Sequence, residues 1–120
     1  MAALTKVKLS GSTNGRGIKV AATATAGTTI HATGTSASVL DEVWLYAYND
    51  DTAAIALTIE WGGVTDPDDT IVVSIPAQQG LTLVVPGLIL SGTGAAASTV
   101  AAFAGTANKV VVHGYVNRIG

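Results

Sequence analysis

Apolar and polar side chains alternate with a period of two along most of this chain, and that period belongs to extended strands rather than helices. Ile55, Leu57, Ile59 and Trp61 alternate with Ala56, Thr58 and Glu60, the pattern of a strand with one buried face. Ile71, Val73 and Ile75 line one face of the next segment, which Pro76 ends. Val110, Val112, Gly114 and Val116 oppose Val111, His113, Tyr115 and Asn117 in the last. The run Val43-Trp44-Leu45-Tyr46-Ala47-Tyr48 is large and apolar on both faces, which predicts a central strand covered on both sides.

Strands are predicted at 18–24, 28–33, 39–48, 53–61, 70–76, 81–85, 87–91, 99–103 and 109–118. Turn residues stand between them, among them Asn49-Asp50-Asp51, Gly62-Gly63, Asp66-Pro67-Asp68-Asp69 and Ser91-Gly92-Thr93-Gly94. Pro86-Gly87 divides 81–91 at a bend or bulge, because proline cannot donate to a central ladder. Ala95-Ala96-Ala97 is too short to nucleate a helix. The fold class that follows is all-β: an antiparallel β-sandwich, jelly-roll-like or a small barrel, with a short N-terminal arm. Residues 1–17 form that arm, free to add to a neighbour's sheet edge or to fray, and 18–120 form a single sandwich domain.

Composition limits what such a domain does. With no cysteine among 120 residues, disulfides, thiolate metal sites and thiol nucleophiles are excluded. Only 12% of residues are charged, against about 25% in ordinary soluble domains, while 48% are hydrophobic. A surface so poor in charge is best explained if much of it is covered in a homo-oligomer or a larger shell; the alternative is a monomer coated in Thr, Ser and Gly. Lys6 and Lys8 are followed by Ser10-Gly11-Ser12 rather than an apolar core, so no secretion signal is read, and no apolar run approaches membrane length. All eight acids lie between Asp41 and Asp69, and all six basic residues lie outside that span. The expectation is a basic and an acidic pole, unless antiparallel pairing interleaves the segments.

The chain offers little chemistry. His31 and His113 sit in predicted strands with no carboxylate or second histidine at ligand spacing, and read as neutral, hydrogen-bonded strand residues. Asp66, Asp68 and Asp69 are hard oxygen ligands, but without EF-hand spacing they read as turn residues, as do Asp50 and Asp51. Gly11 to Gly17 lacks the lysine of a phosphate loop. No catalytic residue, metal ligand, cofactor or small-molecule substrate is predicted, and a net charge of −2 argues against nucleic acid. Trp44, Tyr46 and Tyr48 share a face at strand spacing, either as core packing or as a sugar-stacking platform. Trp61 is expected to close the Ile55/Leu57/Ile59 face as a core residue.

The C-terminal half carries a resemblance. Ser74-Ile75-Pro76-Ala77-Gln78-Gln79-Gly80-Leu81-Thr82-Leu83-Val84-Val85-Pro86-Gly87-Leu88-Ile89-Leu90, then Val100-Ala101-Ala102-Phe103-Ala104-Gly105-Thr106-Ala107-Asn108, resembles the small head decoration (cement) proteins of tailed bacteriophages. His113-Gly114-Tyr115-Val116-Asn117-Arg118-Ile119 is of the same style, and the resemblance fades over residues 1–35. It implies a β-rich, often trimeric module on the capsid exterior, made in the host cytoplasm, that binds and stabilises the major capsid protein. Lys6, Lys8, Arg16 and Lys19 are then the candidate partner contacts. A carbohydrate-binding sandwich on the Trp44/Tyr46/Tyr48 face, or a tail or baseplate component, are the alternatives.

Overall fold

A computed structural model describes residues 3–120. Among these residues there are nine strands and no helix: β1 Leu4–Lys8, β2 Ile18–Lys19, β3 Thr28–Ala32, β4 Leu40–Asn49, β5 Ile55–Trp61, β6 Thr70–Ile75, β7 Thr82–Ser91, β8 Thr99–Ala104 and β9 Val110–Ile119. They form two antiparallel sheets packed face to face as a sandwich. The first runs β1-β9-β4-β7, with β2 also on β9; the second runs β3-β8-β5-β6. Because β4 occupies one side of β9 along its whole length, β1 and β2 follow one another along the other side.

The core is aliphatic throughout. Val43, Leu45 and Ala47 of β4 and Val110, Val112 and Val116 of β9 face Ile55, Leu57 and Ile59 of β5 and Val100, Ala102 and Ala104 of β8. None of the two Trp, three Tyr and one Phe is fully buried. Short, β-branched side chains suit a strand surface and let two sheets approach closely.

Several expectations are corrected. Of the segment expected to stand apart as an arm, Leu4–Lys8 is a strand of the first sheet, paired along β9 from Leu4↔Ile119 to Lys8↔Tyr115. Residues 1 and 2 lie outside the described residues. The following turn is tied to the second sheet, where Gly11 N–H donates to the Ile30 carbonyl at 2.9 Å. The strand expected at 18–24 is only Ile18–Lys19. Beyond it the chain crosses the outside of the second sheet, because Glu60 accepts from Gly27 N–H and Thr25 Oγ1–H, both at 2.7 Å. β4 is central, as its apolar run predicts, but it is covered on one side only: Glu42, Trp44, Tyr46 and Tyr48 point away from the core and are half-buried. Trp61 packs on the margin of the core and keeps partial exposure.

Pro86-Gly87 does not end a strand. β7 continues through it with a bulge, since Val43 pairs with Leu88 and Trp44 with Pro86, leaving Gly87 as the extra residue. Gly87 has φ 78°, and a Cβ there would lie 2.7 Å from the Trp44 indole. Glycine is required twice over, for the backbone and for the ring that rests on it.

The two sheets are joined at one side by a buried polar seam. Asp41, 1% exposed, accepts from Arg118 Nε at 2.8 Å and from Nη2 at 2.9 Å, and lies 2.8 Å from His31 Nε2. The Ser10 backbone N–H donates to His31 Nδ1 at 3.1 Å, so the proton of this ring is on Nε2 and points at Asp41. His31 therefore has a carboxylate partner after all, ten residues along the chain on another strand. Burial pushes the Asp41 carboxyl upward, but the hydrogen bonds from Arg118 and His31, with the charge of Arg118, outweigh it and hold it below the usual range. Here a basic residue of the chain's end meets an acid of its middle, so the two charge groups expected as separate poles touch at this seam.

Candidate functional site on the outer face of the first sheet

Directly opposed residues of an antiparallel pair share a face. Trp44 is opposite Tyr115, Tyr46 opposite His113, and Glu42 opposite Asn117, so with Tyr48 the strands β4 and β9 together set five aromatic or imidazole rings on one outward surface. The Trp44 and Tyr115 rings lie 6.3 Å apart between centroids and within 14° of parallel. β7 extends the surface with Leu83 opposite Tyr46 and Ile89 opposite Glu42, 48% and 54% exposed.

The polar groups are fixed around these rings. Trp44 Nε1–H donates to Glu42 Oε1 at 2.8 Å, and Asn117 Nδ2–H donates to the same oxygen at 3.0 Å. Those donors, Asn117 foremost, hold the Glu42 carboxyl below its ordinary range. The Lys6 ammonium lies 4.8 Å from the Tyr115 ring centre, a cation–π contact. Tyr48 donates to Asp50 Oδ1 at 3.2 Å, and burial together with that carboxylate pushes its phenol upward.

The structure gathers the four candidate cations on one border of this surface. Lys6 and Lys8 are on β1 opposite Asn117 and Tyr115, and Lys19 is on β2 opposite Val111. Arg16, in the turn between, lines a shallow depression with Thr13, Gly17, Val111 and His113. Their chemistry is that of an exposed positive rim beside an aromatic and aliphatic patch.

The remaining candidates are drawn into structure. Asp66 accepts from Thr70 Oγ1–H at 2.7 Å, and Asp69 Oδ2 accepts from Thr65 N–H at 3.1 Å, so both brace their own turn. Asn49, fully buried, donates through Nδ2 to the Ala53 and Ile75 carbonyls and accepts from Asp51 N–H. Among the described residues no three His, Asp or Glu side chains converge as a metal site would require. Comparison with known proteins finds no protein family, no curated protein and no solved structure that matches this chain.

Sequence reasoning placed Trp44, Tyr46 and Tyr48 on one face but missed Glu42, Tyr115 and Asn117 as their companions. The alternation in 110–117 already put Tyr115 and Asn117 on the face opposite the valines. What was lacking was the register of β9 on β4, which is a tertiary fact.

Proposed function

We propose that this chain is a non-catalytic structural module that coats a protein shell, of the virion decoration kind its sequence resembles, and that it docks through the outer face of the first sheet. The observation that carries this reading is where the aromatic side chains lie. The core contains none, while all three tyrosines and Trp44 stand half-exposed on one face beside Leu83 and Ile89. Aromatic side chains concentrated on a surface supply the anchors of protein interfaces, where a few of them dominate affinity. Lys6, Lys8, Arg16 and Lys19 border that face. Exposed charges there steer encounter and set orientation, contributing about 0.2–1 kcal/mol each. The partner is the major capsid protein, and copies of a weak site on a shell reinforce one another.

The test is a titration of undecorated heads with the purified protein. Trp44→Ala and Tyr115→Ala should each weaken attachment by about 30-fold or more, the size of a hot-spot loss. Circular dichroism should show the β fold unchanged. Full-strength attachment by the double variant removes this face as the docking surface.

One observation favours a second reading, a carbohydrate platform. Glu42 Oε1 is fixed beside the Trp44 and Tyr115 rings by two donors, and a carboxylate beside stacked rings is suited to sugar hydroxyls above an apolar ring face. Saturable quenching of tryptophan fluorescence by an oligosaccharide, lost in Trp44→Ala, selects it over shell docking.

A further inference from the structure

A sandwich has four sheet edges, and edges with free N–H and C=O groups pair with other chains unless something blocks them. Two edges here are blocked. β7 carries Pro86 and two bulges, at Gly87 and Val84. β3 has a register break between Thr29 and His31 and is occupied from outside, since Gly11 N–H donates to the Ile30 carbonyl and Ala32 N–H to Ser10 Oγ.

β6 has none of these protections. Its pairing with β5 is regular over six residues, from Glu60↔Thr70 to Ile55↔Ile75, with no charge, proline or bulge. Trp61 N–H donates to the Asp69 carbonyl, which fixes the alternation of the ladder. The backbone groups of Thr70, Val72 and Ser74 therefore point away from β5, and among the described residues no backbone hydrogen bond reaches them. Val72 is 65% exposed, and Ile71 and Val73 are only partly buried at the rim of the core.

β1 is the other regular edge. Gly120 N–H donates to the Ala3 carbonyl, so by the same alternation Leu4, Lys6 and Lys8 turn their backbone groups outward. Pairing β1 with its own copy antiparallel would set Lys6 against Lys6, a like-charge clash. Pairing it with β6 does the opposite. With Leu4, Lys6 and Lys8 opposite Ser74, Val72 and Thr70, every outward group finds a partner, and Lys8 arrives beside the turn bearing Asp66, Asp68 and Asp69.

We propose that the open edge of β6 takes β1 of a second copy of this chain, antiparallel in that register. The contact joins two different surfaces, so repetition builds a ring of copies where the rotation closes, and not a two-fold dimer. It uses sheet edges and leaves the aromatic rings free; Lys6 and Lys8 serve both contacts, so Val72→Lys, on the second sheet, is the variant that tests it apart from shell docking.

Light scattering on a size-exclusion peak at micromolar concentration should give a whole multiple of the 12.0 kDa chain mass, three for the expected trimer. Val72→Lys places a charge on the open edge at an exposed position and should return the protein to a monomer that keeps the wild-type β circular dichroism spectrum. Lys6→Glu with Lys8→Glu should weaken the assembly in the same assay. Under oxidation, Lys6→Cys mixed with Val72→Cys should give a disulfide-linked pair, while Val72→Cys alone should not. A monomeric wild type, an unchanged mass in Val72→Lys, or self-linking of Val72→Cys, which would mean β6 pairs with β6, each overturns the proposal.

Discussion

Two carboxylates are almost completely removed from water in this protein, and they do different work. Asp41 and Glu60 are each 1% exposed. Asp41 lies between the sheets and faces a guanidinium and an imidazole, whereas Glu60 lies on the outside of the second sheet and accepts from a hydroxyl and a backbone N–H. The first joins β4 and β9 to β3. The second fastens a crossing loop over a sheet that is already complete. A buried charge with ionic partners belongs to the global fold, and one held by neutral donors belongs to a local unit that can open by itself.

The sharpest way to break that contrast is to remove each carboxylate. Asp41→Ala strands Arg118 and His31 together and should cost about 3 kcal/mol in chemical denaturation, the lower end of the range for a broken buried pair. The lower end applies because the Arg118 side chain is 33% exposed and can turn to water. Glu60→Ala leaves the Gly27 N–H and the Thr25 hydroxyl without their acceptor, at about 1–3 kcal/mol. Hydrogen exchange should then show residues 21–27 losing protection while the core strands keep theirs. If both variants unfold the whole molecule equally, the distinction between seam and fastening fails.

Arg118→Lys keeps the charge but loses the forked geometry, and should cost about 1 kcal/mol. The seam also sets the acid limb of stability. The Asp41 carboxyl titrates below its usual value of 3.8 in the folded state, so its contribution is complete above that value. It is lost as pH falls through the lower folded value, because protons then bind the unfolded chain more readily. Acid titration of Asp41→Asn against the wild type should show the two stability curves converging below about pH 3.8, the smallest of these effects.

Neither carboxylate was legible in these roles. Glu60 falls at a polar position of a perfectly alternating strand, and alternation says only that it leaves the core; that a loop returns over it depends on Gly27 and Thr25, more than thirty residues away in sequence. Asp41 stands second in β4, between Leu40 and Glu42, and its partners come from β3 and β9. The strands themselves were readable wherever one face was apolar, as in β5, β6 and β9. They failed where pairing rather than pattern decides, as in β1, whose weak alternation is rescued by β9, and in β2, which ends at Lys19 before Ala21 and Ala22 give their N–H groups to Thr28 Oγ1. The aromatic face was half legible, because period two groups residues within a strand and says nothing about which strand lies alongside.

The long pairing of β4 with β9, from Leu40↔Ile119 to Asn49↔Val110, has a consequence for the newborn chain. A ribosome delivers β4 well before β9, and in the interval one flank of this ten-residue strand has no neighbour. Helical proteins close contacts as they emerge; here the middle of a sheet waits for a distant segment, which makes folding slow and late. Until β9 arrives, the exposed flank of β4 is a template for any other nascent copy nearby. Crowded polysomes, at the moment of heaviest synthesis, are therefore where this protein is most prone to misassemble, and slower translation of residues 50–109 should worsen its yield rather than improve it.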